Sequence, residues 1–249
     1  MRHKAWQVAA PIKRLLTRSK SITAAEVEKA EWIFYISYLK EGMIIFDVGA
    51  YIGELTILFS HFVGEKGQVH VFEACSSNFQ RLTAVTRAIT SSNIILNHTA
   101  LSDKKGFADL YVYDDQHLSW CSLAKRPLEK YGIPIVPEGM ERVTTTTIDA
   151  YCEENSISHI DMLKIDVEGA EYQVLLGAQK MLQDKRIRRC VFEFGQTTFD
   201  MGNNPDEIET YLRQLGYQIR NIVKGDPVFP GRSSAETARF SMHIATPKV

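Results

Sequence analysis

Apolar residues in this chain come in short dense runs, each closed by a polar or glycine-bearing turn and followed by a segment of helical spacing. The runs at 43–46, 68–72, 93–97, 161–165 and 190–194 are rich in β-branched and aromatic residues. A continuous apolar run predicts a strand buried on both faces of a parallel sheet, not an alternating, half-exposed one. Helical periodicity follows over 54–62, 78–89, 172–182 and 205–215, and two last strands are expected at 217–223 and 240–245. Strand alternating with helix predicts an α/β chain with a doubly wound, mostly parallel sheet. Ahead of it, 24–39 reads as a helix. Ser21-Ile22-Thr23 supplies its cap, Glu26 follows Thr23 at capping-box spacing, and Glu41-Gly42 ends it. The expected organisation is an N-terminal helical segment over 1–41 and a main domain over 42–249. Within that domain, 113–141 is irregular, broken by Pro127, Gly132, Pro134, Pro137 and Gly139. A loop this long inside a compact domain is usually functional, which makes it the expected substrate loop.

Composition narrows the class. The chain has 249 residues, 45% hydrophobic, with 29 basic against 30 acidic side chains. That apolar fraction at a net charge of -1 excludes disorder as the main state. It also argues against a dedicated nucleic-acid binder, which carries a basic excess. No apolar run reaches the roughly 20 residues that span a bilayer. Cys75, Cys121, Cys152 and Cys190 are widely spaced and read as reduced thiols of a cytoplasmic protein. The first 20 residues hold six basic side chains and no acid, which reads as a solvated helix or terminus. Weak contact with an anionic membrane surface is the sharper alternative.

The candidate chemistry lies where the strands end, since open α/β sheets bind ligands at the carboxyl ends of their strands. After the first strand comes Asp47-Val48-Gly49-Ala50-Tyr51-Ile52-Gly53-Glu54. Two glycines four apart allow close backbone approach to a ligand. Tyr51 stands where a dinucleotide loop needs glycine, and no Gly-Lys-Ser/Thr follows, so both phosphate-loop readings fail. Asp47 and Glu54 repel phosphate and suit a cationic ligand, and S-adenosylmethionine meets that requirement. Glu73 ends the second strand, 20 residues after Gly53, where an acid can accept both hydroxyls of a ribose, with Ala74 beside it. The most specific segment is Lys164-Ile165-Asp166-Val167-Glu168-Gly169-Ala170-Glu171, four ionisable groups in eight residues at the end of a buried strand. They must face a ligand or one another. An ion-pair network that orders the turn competes for Lys164, and the helix dipole could explain Glu171.

Together these motifs, with Thr146-Thr147-Ile148-Asp149, resemble the FkbM-type methyltransferase family over residues 25 to 200. The resemblance implies a class I, Rossmann-like methyltransferase fold: a seven-stranded sheet with a reversed last strand, using S-adenosylmethionine to methylate hydroxyl oxygens. Asp47, Gly49, Gly53, Glu73, Lys164, Asp166, Glu168 and Glu171 match the family's pattern, and Glu193 matches the acid ending its fifth strand. Where members often have proline after the ribose-binding acid, this chain has Ala74-Cys75. The segment Ala100-Leu101-Ser102 is expected to border the adenine.

The expected function is therefore O-methylation of a small-molecule acceptor: a sugar, glycolipid or secondary metabolite. An alcohol is a poor nucleophile while protonated, so a base should assist. Asp166 or Glu168 is the first candidate, with Glu193 another and Lys164 in the same cluster. Trp120, Ser122, Tyr131 and His117 are candidate acceptor-lining residues, although they could equally cover the sheet's edge. No His/Cys pair has ligand spacing; the acids Asp166, Glu168 and Glu193 have the chemistry to hold magnesium. A nucleic-acid or protein methyltransferase and a non-catalytic S-adenosylmethionine-binding module are the alternatives. The place of an Asn/Asp-Pro-Pro-aromatic string reads Asp166-Val-Glu-Gly, which disfavours base methylation.

Overall fold

The protein is described as a computed structural model covering residues 22–89 and 92–248. The basic residues of the first 20 positions, and the membrane-surface expectation attached to them, lie outside the described residues.

The chain enters as helix α1 (Ala24–Tyr38), capped as its sequence requires. The Glu26 amide donates to Thr23 Oγ1 at 3.3 Å, and the Thr23 amide donates to Glu26 Oε2 at 2.9 Å. Strand β1 (Ile44–Val48), helix α2 (Glu54–Val63), strand β2 (Gln68–Phe72), helix α3 (Ser76–Arg87) and strand β3 (Ile94–Asn97) follow. Then come the short strand β4 (Ala100–Leu101), strand β5 (Gly106–Val112), two 3-10 turns (Leu118–Trp120 and Leu128–Tyr131) and strand β6 (Gly139–Thr146). The second half runs α4 (Ile148–Glu154), β7 (Met162–Ile165), α5 (Glu171–Leu176), α6 (Gln179–Gln183), β8 (Cys190–Phe194), α7 (Gln196–Asp200), α8 (Pro205–Gln214), β9 (Tyr217–Asn221) and β10 (Ser241–Pro247).

Among the described residues, seven strands form the main sheet in the order β3-β2-β1-β7-β8-β10-β9, with β10 antiparallel to both neighbours. Successive residues of each central strand face opposite sides. Thus Ile45, Val69, Val71, Met162 and Val191 join one core with Val27 and Tyr35 of α1, Phe59 of α2 and Leu82 of α3. Phe46, Val48, Leu163, Ile165 and Phe192 join the other with α4, α5, α6 and α8. Burial on both faces explains the unbroken apolar runs. Helix α1 belongs to the first of these cores.

Five elements escaped the apolar pattern. β5 and β6 pair antiparallel, with β4 on the far side of β6, in a separate three-stranded sheet. Their residues are mostly exposed or half-buried, so no apolar run marks them, and residues 139–141 of the expected loop are strand. The short helices α4 and α7 are too brief for periodicity to register. The helix expected over 172–182 is broken at Gly177, where an added Cβ would lie 2.0 Å from the Ser102 carbonyl oxygen. Asp149 then receives the amides of Lys180 and Met181 at 2.8 and 2.9 Å, capping α6, while Thr147 caps α4. The Thr-Thr-Ile-Asp motif is therefore a joint between helices.

Candidate active site

β1 has β2 on one side and β7 on the other. The chain thus leaves β1 at the point where strand order reverses, the usual place for a crevice in such sheets. Gly49 follows β1 at φ +76°, and a Cβ there would sit 1.8 Å from the Asp166 carbonyl oxygen. Only glycine lets the turns after β1 and β7 meet. Tyr51, two residues on, is left-handed without being glycine (φ 53°), a conformation that costs about 1–3 kcal/mol unless its surroundings hold it. Glu73 does the holding. Its Oε2 accepts the Tyr51 amide and its Oε1 the Cys75 amide, both at 2.9 Å. Burial pushes the Glu73 carboxyl up to about 7; the Cys75 and Tyr51 donors pull the other way without cancelling it.

The turn after β7 is built alike. Lys164 Nζ is buried, donates to the Gly49 carbonyl at 2.9 Å, and lies 3.4 Å from Asp47 Oδ1 and 3.5 Å from Asp166 Oδ2. Burial works against its charge, but the Asp166 and Asp47 carboxylates prevail and raise its proton affinity. The ion-pair reading of Lys164 fits this geometry: it staples the two turns together. Glu168 is left-handed too (φ 54°). Its carbonyl accepts the Ser122 hydroxyl at 2.8 Å, and its Oε2 lies 3.0 Å from Arg126 Nη1. Burial, then the Asp166 charge, pushes its carboxyl up to about 8 against the pull of Arg126. Glu171 Oε1 accepts the Val167 and Gly169 amides at 3.0 and 3.2 Å, so it shapes the turn from within. Glu193, buried behind Asp166, Glu168 and Glu171, has its carboxyl driven well above the ordinary value by burial and then by those charges.

Between these turns lies a cleft. Of the expected cofactor residues, Gly49, Tyr51, Glu73, Ala74, Ala100, Leu101 and Asp166 line it, and Glu168 lines it as well. Asp47, Ala50, Gly53, Glu54 and Ser102 do not. Asp47 is fully buried and takes the Thr56 hydroxyl at 2.6 Å. Ala50 is packed in the core, and Gly53 abuts Leu82 at the start of α2. Glu54 is exposed on α2, and the Ser102 hydroxyl turns to Asp103. The acid of the first turn is thus neutralised by Lys164 instead of facing a ligand. Lys164 and Glu193 stand behind the wall and do not line the cleft.

The four expected acceptor residues do not line it either. His117 pairs with Asp114 at 2.8 Å and lies against Trp120, which carries the Arg126 guanidinium over its ring at 5.6 Å. Ser122 is tied to Glu168, and the Tyr131 hydroxyl donates to Asp200 Oδ1 at 2.8 Å. They fasten the irregular stretch down. Its Leu118, Ser119, Cys121 and Leu123 reach the cleft instead. Cys121 Sγ donates to Cys75 Sγ at 3.5 Å, both thiols being free.

Sequence reading missed Asn78, Arg126, Asp200 and Glu31. Asn78 lines the cleft, and its buried Oδ1 has no partner among the described residues. Arg126, with a side chain 10% exposed, spans Glu168 and Asp200. Glu31 of α1 is pushed up to about 7 by burial, with the Tyr35 hydroxyl opposing and the Asp166, Lys164 and Asp47 charges near enough to act on it. Each is a lone polar residue whose spacing carries no signal. Among the described residues no group of three His, Cys, Asp or Glu side chains is arranged to hold a metal ion, so the magnesium reading of Asp166, Glu168 and Glu193 finds no support. Among the same residues no helix is long and apolar enough to cross a membrane.

Residues 47–219 match the Methyltransferase FkbM domain. The chain is 28% identical over 222 residues to the 31-O-demethyl-FK506 methyltransferase FkbM of Streptomyces tacrolimicus, covering 80% of this chain and 81% of that one. In three dimensions it superposes on the crystal structure of the methyltransferase FkbM of Methylobacillus flagellatus KT with a TM-score of 0.50 at 16% identity. That match covers 82% of this chain and 43% of the other, so this chain spans less than half of that structure. A SAM-dependent methyltransferase of Aquifex aeolicus gives a TM-score of 0.48 at 13% identity, covering 95% and 96% of the two chains.

Proposed function

The chain belongs to the FkbM methyltransferase family and is an S-adenosylmethionine-dependent methyltransferase; on that premise we propose that it methylates a hydroxyl oxygen of a small molecule, with Glu168 as general base. The acceptor class is a sugar, glycolipid or secondary metabolite. When bound, the donor supplies an electrophilic methyl group on a positively charged sulfur. The cleft suits it: Glu73, Asp166 and Glu168 line it with carboxyl groups, and the unpartnered Asn78 Oδ1 offers a buried acceptor atom. Glu73 and Asn78 take the ribose end, Ala100 and Leu101 the edge of the adenine, and Asp166 faces the cationic end. Gly49 keeps the two turns close enough for these groups to converge. Asp47 and Lys164 hold that convergence without touching the ligand.

One observation carries the assignment of Glu168. Glu73 and Glu168 both line the cleft with raised carboxyls, at about 7 and about 8, but Glu73 spends both oxygens on the Tyr51 and Cys75 amides, whereas Glu168 engages only Arg126 through one oxygen. A base works best when its proton affinity lies near the operating pH, and a positioned one contributes about 10²–10⁴-fold. Asp166 Oδ2 lies 3.5 Å from the Lys164 ammonium, so that oxygen is engaged in holding the turns together. Glu193 holds its proton too tightly and stands outside the cleft. Alignment of acceptor oxygen and methyl carbon supplies much of the remaining rate, since the leaving group is neutral. The name of the Streptomyces relative, which describes an O-demethyl substrate, supports oxygen as the target.

The test pairs calorimetry with S-adenosylhomocysteine against labelled-methyl transfer to a panel of glycosides and hydroxylated metabolites. Heat of binding and a product whose new methyl resonance is that of an ether are expected. Absence of binding, or a methyl found on nitrogen or carbon, rejects the reading.

A further inference from the structure

A second concavity, of about 510 Å³, lies in the segment between β5 and β6. Its walls are the 3-10 turn Leu128–Tyr131 and the chain running into β6. Apolar side chains dominate: Pro127, Leu128, Ile135, Val136, Pro137 and Met140. Val136 and Met140 are 60% and 63% exposed, so large apolar groups stand in water with nothing over them. The rim is basic, with Lys125, Arg126 and Lys130 against Glu129. Among the described residues neither Lys125 nor Lys130 forms an ion pair, although Glu236 is near enough to feel the Lys130 charge.

Arg126 connects this groove to the chemistry. It lines the groove, and its guanidinium lies 3.0 Å from Glu168, which lines the cofactor cleft. Behind it, Asp200 at 3.5 Å and the Trp120 ring fix its position. Tyr111, also on the groove, exchanges backbone hydrogen bonds with Ser122 at 2.9 and 3.2 Å, and the Ser122 hydroxyl holds the Glu168 carbonyl. Groove and cleft therefore adjoin across the ion pair of Arg126 with Glu168, and the proposed base lies at their junction. We infer that this groove seats the acceptor, and that the acceptor is an amphiphile: an apolar body against Val136 and Met140, an anionic group on Lys125 and Lys130, and the reactive hydroxyl presented past Arg126. This rests on the methyltransferase reading above. It narrows the acceptor class to hydroxylated compounds with both an apolar face and an acid group, such as an acidic macrocycle or an acidic glycolipid. Uncharged simple sugars fall outside it.

Two fluorescent probes of nearly the same shape test the claim on the full chain. Anilinonaphthalene sulfonate carries an apolar body and an anion; phenylnaphthylamine lacks the anion. The sulfonate is expected to bind about ten-fold more tightly than its neutral counterpart, the equivalent of one charge-assisted contact. Val136→Asp and Met140→Asp change exposed positions that the fold tolerates, and each should weaken the sulfonate about ten-fold or more. Lys130→Glu should remove the preference for the anion. Val85→Asp, an exposed apolar site on α3, should change nothing. Unaltered binding in the groove variants, equal affinity for both probes, or no binding of the sulfonate overturns the proposal. So does a panel acceptor that is methylated while leaving the probe in place. S-adenosylhomocysteine calorimetry on the same variants keeps the two readings apart: loss of that heat in the natural chain rejects the methyltransferase reading, whereas its retention with a silent groove rejects only the acceptor site.

Discussion

The turns around the cofactor cleft and the segment over 99–146 are built on opposite principles. In the first, backbone is pinned to backbone: Gly49 touches Asp166, Lys164 staples both turns, and Glu73 and Glu171 spend their oxygens on amide groups. In the second, a small sheet with exposed faces is tied down by scattered polar side chains, Ser122 to Glu168, Arg126 to Glu168 and Asp200, Tyr131 to Asp200. A ligand common to a whole family calls for a rigid cradle, and left-handed Tyr51 and Glu168 survive because their neighbours over-determine them. On the proposed reading the segment faces the acceptor, and a surface tied down by scattered side chains can change without unfolding the sheet. Damage should therefore spread from the cradle and stay local in the segment.

The two regions meet at Glu168, and the largest effect is expected there. Glu168→Gln should lower turnover about 10²–10⁴-fold while S-adenosylhomocysteine affinity moves only a few-fold. Because the carboxyl must lose its proton to act, activity in the natural chain should climb with pH through about 8 and level above it. The variant should lack that limb. A full rate with glutamine, or an unchanged profile, would remove Glu168 from the chemistry.

Next in size is Gly49→Ala, which places a methyl group 1.8 Å from a carbonyl oxygen in a left-handed backbone. A stability loss of about 3 kcal/mol or more is expected in denaturant melts, from clash and strain together. Gly132→Ala is its counterpart in the segment. It is also left-handed (φ +73°), but with nothing within 4 Å of the new Cβ, so it should cost about 1 kcal/mol. Similar losses at the two sites would refute the contrast.

Glu73→Gln tests the cradle's second role. A neutral amide weakens the grip on the Tyr51 and Cys75 amides and on a ribose, and S-adenosylhomocysteine affinity should fall about ten- to a hundred-fold by calorimetry, the worth of a charge-assisted hydrogen bond or two. Retained affinity would argue that Glu73 only orders the loop.

The smallest effect belongs to Tyr131→Phe. It removes one hydrogen bond to Asp200 and should cost about 1 kcal/mol in stability, with cofactor affinity untouched. A loss of cofactor affinity there would show the segment to be less independent than its construction suggests.

Much of this was legible in the chain itself. Strands buried on both faces must be continuously apolar, so β1, β2, β7 and β8 announced themselves, and the acids and glycines at their ends were placed within a residue or two. β5 and β6 did not, because a half-exposed sheet can be built from almost any alternation. Sequence also put acids at the cleft without telling which of them face it: Asp166 lines it while Asp47 is consumed by Thr56 and Lys164, a matter of side-chain direction and pairing.

The sequence by itself determined the doubly wound sheet, its chemical class and the two turns that meet at the strand ends. The sheet and the turns follow from local periodicity and from residue types a short motif can hold; the chemical class follows from the resemblance of those motifs to the FkbM family. Only tertiary structure decided that Arg126 would lie on Glu168, that Asn78 would enter the cleft, that Glu31 of the first helix would come near Lys164, and that a groove would open beyond the proposed base. Such contacts join single polar residues tens of positions apart. Their partners are chosen by how the elements pack, and no window of the sequence contains that information.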